Sequence, residues 1–367
     1  MTARAMARQS QIPRFTADQA RGLLLLRSGL LRPTKSSIAT VCALVERLGG
    51  VRAERLEWAH ASLAARLSGY QSAHLDDPLL QDKTLLRLWG VRGAELVVHR
   101  RDVRAQLAAA QEEAHQWSRF LDANLSIDEK RRDEILGLLM PGPFSRSEVA
   151  RRFERHLHLT GKAPPSAVYM RIIREAGARG RLCWCGGEGT AARYCSLERW
   201  MGEPVEPRPD LERLVSVYLS AFPPAPLSDV ATCLGATASS VRETLAKLEA
   251  VEVEVDGKPS FVLPDDVSAL KKAPDPAEAP SFALPEQDPL LIACPTRDRL
   301  GTGLAAAFPT SGEMPGTVWI EGRLIATWRR EADVAEVRPI GRSTPPPKQL
   351  QAAFAQGEPL LRPRLVR

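Results

Sequence analysis

Between Val251 and Leu263 the chain alternates strictly, Val251-Glu-Val253-Glu-Val255, turns at Asp256-Gly257 and returns through Phe261-Val-Leu263. Period-two alternation closed by an Asp-Gly pair predicts a β-hairpin. Ahead of it, helices are expected over 211–221, 227–234 and 239–248, the last with Val241, Leu245 and Leu248 on one face. Three helices followed by a two-stranded ribbon is the order of a winged helix.

The same order stands earlier in the chain. A helix over 127–140 stops at Pro141-Gly142-Pro143, and Ser145-Arg-Ser-Glu148 is a capping box for a second carrying Val149, Phe153 and Leu157. Pro165 opens a third with Val168, Ile172 and Ile173. Strands over 181–185 and 193–197 follow, joined by Gly186-Gly-Glu-Gly189-Thr; this glycine run precedes a strand and not a helix, so it is a wing turn and not a phosphate loop. Near the N-terminus, Thr16-Ala-Asp18-Gln19 caps a helix over 16–29, and further helices are expected over 37–48 and 55–68. Gly49-Gly50 hinges the last two, with Arg52 and Glu54 just past the hinge. A helix over 83–89 then feeds an apolar strand over 95–99.

These patterns give a mainly α chain with β wings: tandem winged helices plus a β-rich C-terminal lobe. The expected parts are a flexible basic arm (1–14), an N-terminal lobe with the Arg52/Glu54 loop (15–121), winged helices at 126–200 and 208–264, and a linker (265–289) around the three prolines of 273–280. A β-rich lobe (290–345) built on the hairpin 317–328 and a C-terminal helix with a frayed basic tail (346–367) complete it.

Charge bears on the partner. Fifty Lys and Arg against forty-four Asp and Glu give a net charge of +6, which tilts the chain towards a polyanion. No run of 18 apolar residues exists to span a membrane, and Arg14, Asp18 and Arg21 interrupt any signal-peptide core, so a cytoplasmic location is expected. The six cysteines are few for the length and suit reduced thiols. Cys183-Trp184-Cys185 with Cys195 lacks a fourth ligand at finger spacing, so a buried strand is the expectation there, with no metal and no cofactor.

Three blocks carry a resemblance. They read Val51-Arg52-Ala53-Glu54, then Ser62-Leu-Ala-Ala-Arg66-Leu67, then Arg87-Leu-Trp89-Gly-Val91-Arg92-Gly93-Ala94-Glu95-Leu96-Val97-Val98. In these blocks the chain resembles the winged-helix DNA glycosylases typified by the azinomycin-resistance glycosylase AlkZ and by YcaQ. Further matches are Val217-Tyr218-Leu219, Asp229-Val-Ala231 with Gly235, and Thr327-Trp328-Arg329-Arg330. Cys233 stands where the family has Trp, and Leu290-Leu-Ile-Ala-Cys-Pro295-Thr296 lacks two acids of the family text.

The resemblance implies a monofunctional glycosylase that excises bulky or crosslinked alkylated bases from duplex DNA by hydrolysis. The family's catalytic Gln pair falls on Arg52 and Glu54. Breaking an N-glycosidic bond passes through a sugar cation, which an acceptor such as Glu54 can stabilise while orienting water. By itself Glu54 would read as a solvated glutamate at a helix start. Arg52 is donor-only and permanently charged, so it either clamps a phosphate or pairs with Glu54. His60 can face a cleft or sit on the helix surface.

Arginines are the remaining signal. Arg92, then Arg146, Arg151, Arg152 and Arg155, then Arg171 and Arg174, and finally Arg323, Arg329 and Arg330 are the candidate phosphate contacts, each group being ordinary surface charge on its own. The expected protein is therefore a monomeric binder of duplex DNA, alkylated or crosslinked, acting in repair or self-resistance. The alternative is a non-catalytic DNA-binding or regulatory protein that has lost the Gln-x-Gln chemistry.

Overall fold

The computed structural model describes residues 12–140, 142–155, 160–161, 163–301, 303–308, 314–341, 344–358 and 361–366. About half of the chain is helical, with several small sheets between the helices. It divides into two compact units that do not follow the expected boundaries. The larger holds the described residues up to Gly49, then Glu57–Ser72 and Leu211 onward; the smaller holds Gly50–Leu56 and Ala73–Asp210. The expected 15–121 lobe is thus shared between the two, because the strand at Val51 pairs forward with Glu95–His99 and so leaves the helices that flank it.

In the larger unit, the helix Ala17–Arg27 starts at the Thr16–Gln19 capping box, and Ile38–Leu48 is capped by Ser37 and stopped by Gly49 in the left-handed region. Helices Leu211–Ala221, Leu227–Leu234 and Ala238–Lys247 precede the antiparallel strands Val251–Val255 and Lys258–Val262, with Asp256 and Gly257 both at positive φ in the turn. Arg14–Phe15 adds a parallel strand to Val251–Val255, and Phe15 packs with Leu23, Val253, Val262 and Leu270. Arg14 is therefore part of a sheet, paired with Glu254 at 3.1 Å, and not of a basic arm; residues 1–11 of that arm lie outside the described residues.

Two further expectations fail in this unit. The proposed linker contains the helix Pro264–Lys271 and the strand Phe282–Leu284, and between them Pro276 and Ala279 are buried. Gly22 fits against the carbonyl of Pro274 and Gly322 against Pro276, both without room for a side chain. Prolines that suggest a free linker by composition serve here as rigid packing surface. Of the expected frayed tail, Arg362–Leu365 forms a strand parallel to Val334–Pro339, with Arg364 on Glu336; residues 359–360 and 367 lie outside the described residues. This strand is the last of a five-stranded sheet formed with Phe282–Leu284, Gly316–Ile320 and Arg323–Glu331, against which the helix Pro347–Gly357 packs Phe354 edge-on to Trp328.

Several residues quoted above for the resemblance are buried polar groups of this core. Arg66 forks onto Asp288 at 2.7 and 2.8 Å and donates to the Ser28 carbonyl at 2.9 Å, with both side chains fully buried. Tyr218 donates to the Ala293 carbonyl at 2.5 Å and accepts from Arg299, which also faces Asp229 at 3.6 Å. Trp328 donates to the Leu284 carbonyl.

The smaller unit holds two three-stranded sheets. In one, Glu95–His99 runs between Val51–Arg52 and Leu85–Trp89. Leu85–Trp89 is a strand and not the helix expected over 83–89: all five residues are buried, and a continuous buried run carries no period that would separate strand from helix. In the other, Phe144–Ser145 and Leu182–Gly186 flank Arg193–Ser196. Around them lie the helices Val103–Ala109, Gln111–Asn124, Glu129–Gly137, Arg146–Glu154 and Pro165–Ala178. Cys183 and Cys195 face one another across the ladder, buried with Leu86, Leu96, Val98 and Leu107. Trp89 stacks on Tyr194, and Gly177 lies so close to Trp89 that no side chain would fit.

Candidate active site

Gly50 lets the chain turn from helix into sheet: its φ is +117°, and an added Cβ would press on Val98 and the Val97 carbonyl. Val51 and Arg52 then pair with Val97 and Leu96, and the ladder ends where the Ala53 N–H donates to the Glu95 carbonyl at 2.9 Å. On extended backbone, residues two apart share a face. Arg52 and Glu54 accordingly meet, with Arg52 Nη1 donating to Glu54 Oε1 at 2.5 Å. The second carboxylate oxygen, Glu54 Oε2, is buried with no hydrogen-bond partner among the described residues.

Behind the pair lies a charge cluster that sequence reasoning missed. Arg87 donates through Nε to Glu95 Oε1 at 2.8 Å, through Nη1 to Glu188, and points Nη2 at the Glu54 carbonyl at 3.5 Å. Its guanidinium lies over the Trp184 ring, 5.0 Å from the centroid. Glu188, on the Gly186–Gly189 turn read only as a wing, also accepts from the Leu56 N–H at 3.3 Å. Burial pushes the Glu95 carboxyl up to about 7; the Glu54 and Glu188 charges push the same way, and Arg87 opposes them. Two arginines thus face three acids, and burial draws one of these, Glu95, towards its protonated form. The missed signal was hairpin pairing, which a strand reading of 85–89 would have supplied.

The candidate arginines are scattered. Arg92 is exposed at φ +56° in the Val91–Gly93 turn. Arg151, Arg152 and Glu148 of the helix Arg146–Glu154, with Arg155 at its end and Leu139 before it, line a shallow depression of about 160 Å³. Arg151 and Arg155 are exposed, whereas Arg152 is half-buried. Arg146 and Arg174 are half-buried, and their charges reach Tyr194, whose phenol burial raises to about 12. Arg171 lies over Trp117 and Phe120, with its pKa lowered by burial and by Arg174. In the larger unit, Arg323 and Arg329 are exposed on one strand, and Arg330 faces Glu57 at 3.5 Å. His60 lines a cleft of about 1180 Å³ there, bonded through Nδ1 to the Tyr70 hydroxyl at 2.8 Å. No helix among the described residues is long and apolar enough to cross a membrane.

A family model described as DNA glycosylase AlkZ-like matches residues 45–358. No curated protein sequence matches the chain. Among solved structures, the DNA glycosylase AlkZ of Streptomyces sahachiroi superposes with a TM-score of 0.75 at 19% identity, covering 96% of this chain and all of that one. The shared fold and the span of the family match, which takes in Arg52, Glu54 and the cluster behind them, lead to one statement: the chain belongs to the AlkZ-like DNA glycosylase family.

Proposed function

We propose that the protein binds duplex DNA through tandem winged helices and hydrolyses the N-glycosidic bond of bulky or crosslinked alkylated bases, with Glu54 as the acceptor beside the sugar. The observation that carries this is Glu54 itself: a carboxylate fixed at the end of a strand, with one oxygen buried and unengaged among the described residues. The Glu54 side chain keeps about 30% of its surface exposed, so turning the carboxylate brings an oxygen to where it can stabilise a developing sugar cation and orient water. The winged-helix reading draws support from two runs, 129–196 and 211–262. In each, three helices precede a hairpin, and a short segment between the first two helices pairs with it: Phe144–Ser145 in the first and Ala225 against Phe261 in the second.

A second reading rests on a different observation. Arg52 already occupies Glu54 Oε1 at 2.5 Å, which suits a protein that kept the scaffold and lost the chemistry. Incubating the protein with duplex DNA carrying a bulky N7-alkylguanine, and measuring free base and binding side by side, separates them. Release together with binding supports the glycosylase; binding with no release supports the non-catalytic binder and overturns the first reading.

A further inference from the structure

We propose that Arg87 is the positioning residue of the Arg52–Glu54 loop and that Glu188 is the second arm of the same clamp, which rests on the reading of Glu54 as acceptor. Arg87 is almost wholly buried, and each of its three nitrogens is directed: Nε to Glu95, Nη1 to Glu188, Nη2 to the backbone carbonyl of Glu54. A planar fork committed on all sides, with its face on Trp184, has one orientation. Glu188 takes the other end of the bend through the N–H of Leu56, where the helix Leu56–Ala64 begins. The pairing ladder stops at Ala53, so one ion pair holds the backbone on both sides of the step from strand to helix. Arg87 and Glu188 are 101 residues apart, so the hairpin turn of a later module secures the loop.

The clamp contains a built-in reporter. Glu95 shares Arg87 with Glu188, and the groups that face it are Arg87 from its own sheet, Glu54 with its partner Arg52 from the loop, Glu188 from the turn and Tyr194 from the neighbouring sheet. When Glu95 takes a proton, Arg87 is left to Glu188; when it ionises, Arg87 is divided between the two. Trp184, under the guanidinium, senses that change.

Fluorinated tryptophan incorporated into the full chain, with the Trp184 resonance assigned by Trp184→Phe, tests this by fluorine NMR from about pH 5 to about pH 9. The Trp184 resonance is expected to move with a midpoint near the pKa of about 7 that burial gives Glu95. Glu95→Gln abolishes the movement. Glu188→Gln shifts the midpoint down by about half a pH unit or more, because a repelling charge is gone and Arg87 turns wholly to Glu95. A Trp184 resonance that stays flat in the unaltered protein, or a midpoint indifferent to Glu188→Gln while the other tryptophan resonances hold, overturns the clamp. On alkylated duplex, Glu188→Gln lowers kcat roughly ten- to a hundredfold at unchanged KM; a rise in KM at unchanged kcat would contradict positioning. Titration as described in a protein that releases no base refutes the glycosylase reading and leaves the clamp standing.

Discussion

Arg52 decides what Glu54 can do. Its guanidinium offers only donors, brings a positive charge, and takes one of the two carboxylate oxygens. Beside a developing sugar cation that charge is repulsive. Arg52→Gln removes it and frees Glu54, so base release should rise above that of the unaltered protein, or appear where there was none; a rate no higher than before would show that Arg52 does not oppose the reaction. Glu95 carries a second prediction. Its carboxyl is raised from 4.5 to about 7 in the folded protein, chiefly by burial, so the fold holds that proton more tightly than the unfolded chain does. The resulting stability is fully present below about pH 4.5 and is lost as pH rises through about 7, a decline of up to about 3 kcal/mol. Urea unfolding followed across this window should show the midpoint falling, and Glu95→Gln should flatten the trend. A level midpoint in the unaltered protein would contradict the raised pKa.

Among the elements, the Arg66–Asp288 pair joins the end of the helix Leu56–Ala64 to the start of Pro289–Ala293 without any access to water. Asp288→Ala leaves a buried guanidinium unpaired and should cost about 3–5 kcal/mol, whereas replacing both partners with apolar residues of similar volume should recover most of that loss. A cost under about 1 kcal/mol for Asp288→Ala in urea unfolding would place the pair in water instead. What the sequence made legible follows from range. Capping boxes at Thr16 and Ser145 and the Asp256-Gly257 hairpin depend on neighbours three or four residues away, and the structure has them where the residues put them. Leu85–Trp89 was misread because a strand buried throughout has no alternation, and 273–280 because proline marks packed surface as well as free chain. Of the site, Arg52 and Glu54 could be named from their text. Arg87, Glu95 and Glu188 could not, since Arg87 meets Glu95 only once their two strands have paired, and meets Glu188, 101 residues on in a turn of another sheet, only through tertiary packing.

At the scale of the whole molecule, a net charge of +6 is too small to announce a nucleic-acid partner, and its placement matters more. The Arg151 and Arg152 side chains on one helix of the smaller unit, with Arg155 just past its end, suit backbone phosphates. Affinity for duplex DNA should accordingly fall with salt at about 0.9 in log K per phosphate contact, and Arg151→Ala with Arg152→Ala should flatten the slope by up to about two. Binding indifferent to salt would exclude a phosphate interface. The central claim, that Glu54 supplies the acceptor in a glycosylase, meets its most direct test in single-turnover release of free base from alkylated duplex by the unaltered protein and by Glu54→Ala, with DNA affinity measured on the same samples. The account predicts a loss of roughly a hundred- to ten-thousandfold in release at nearly unchanged affinity; release undiminished by Glu54→Ala would contradict it.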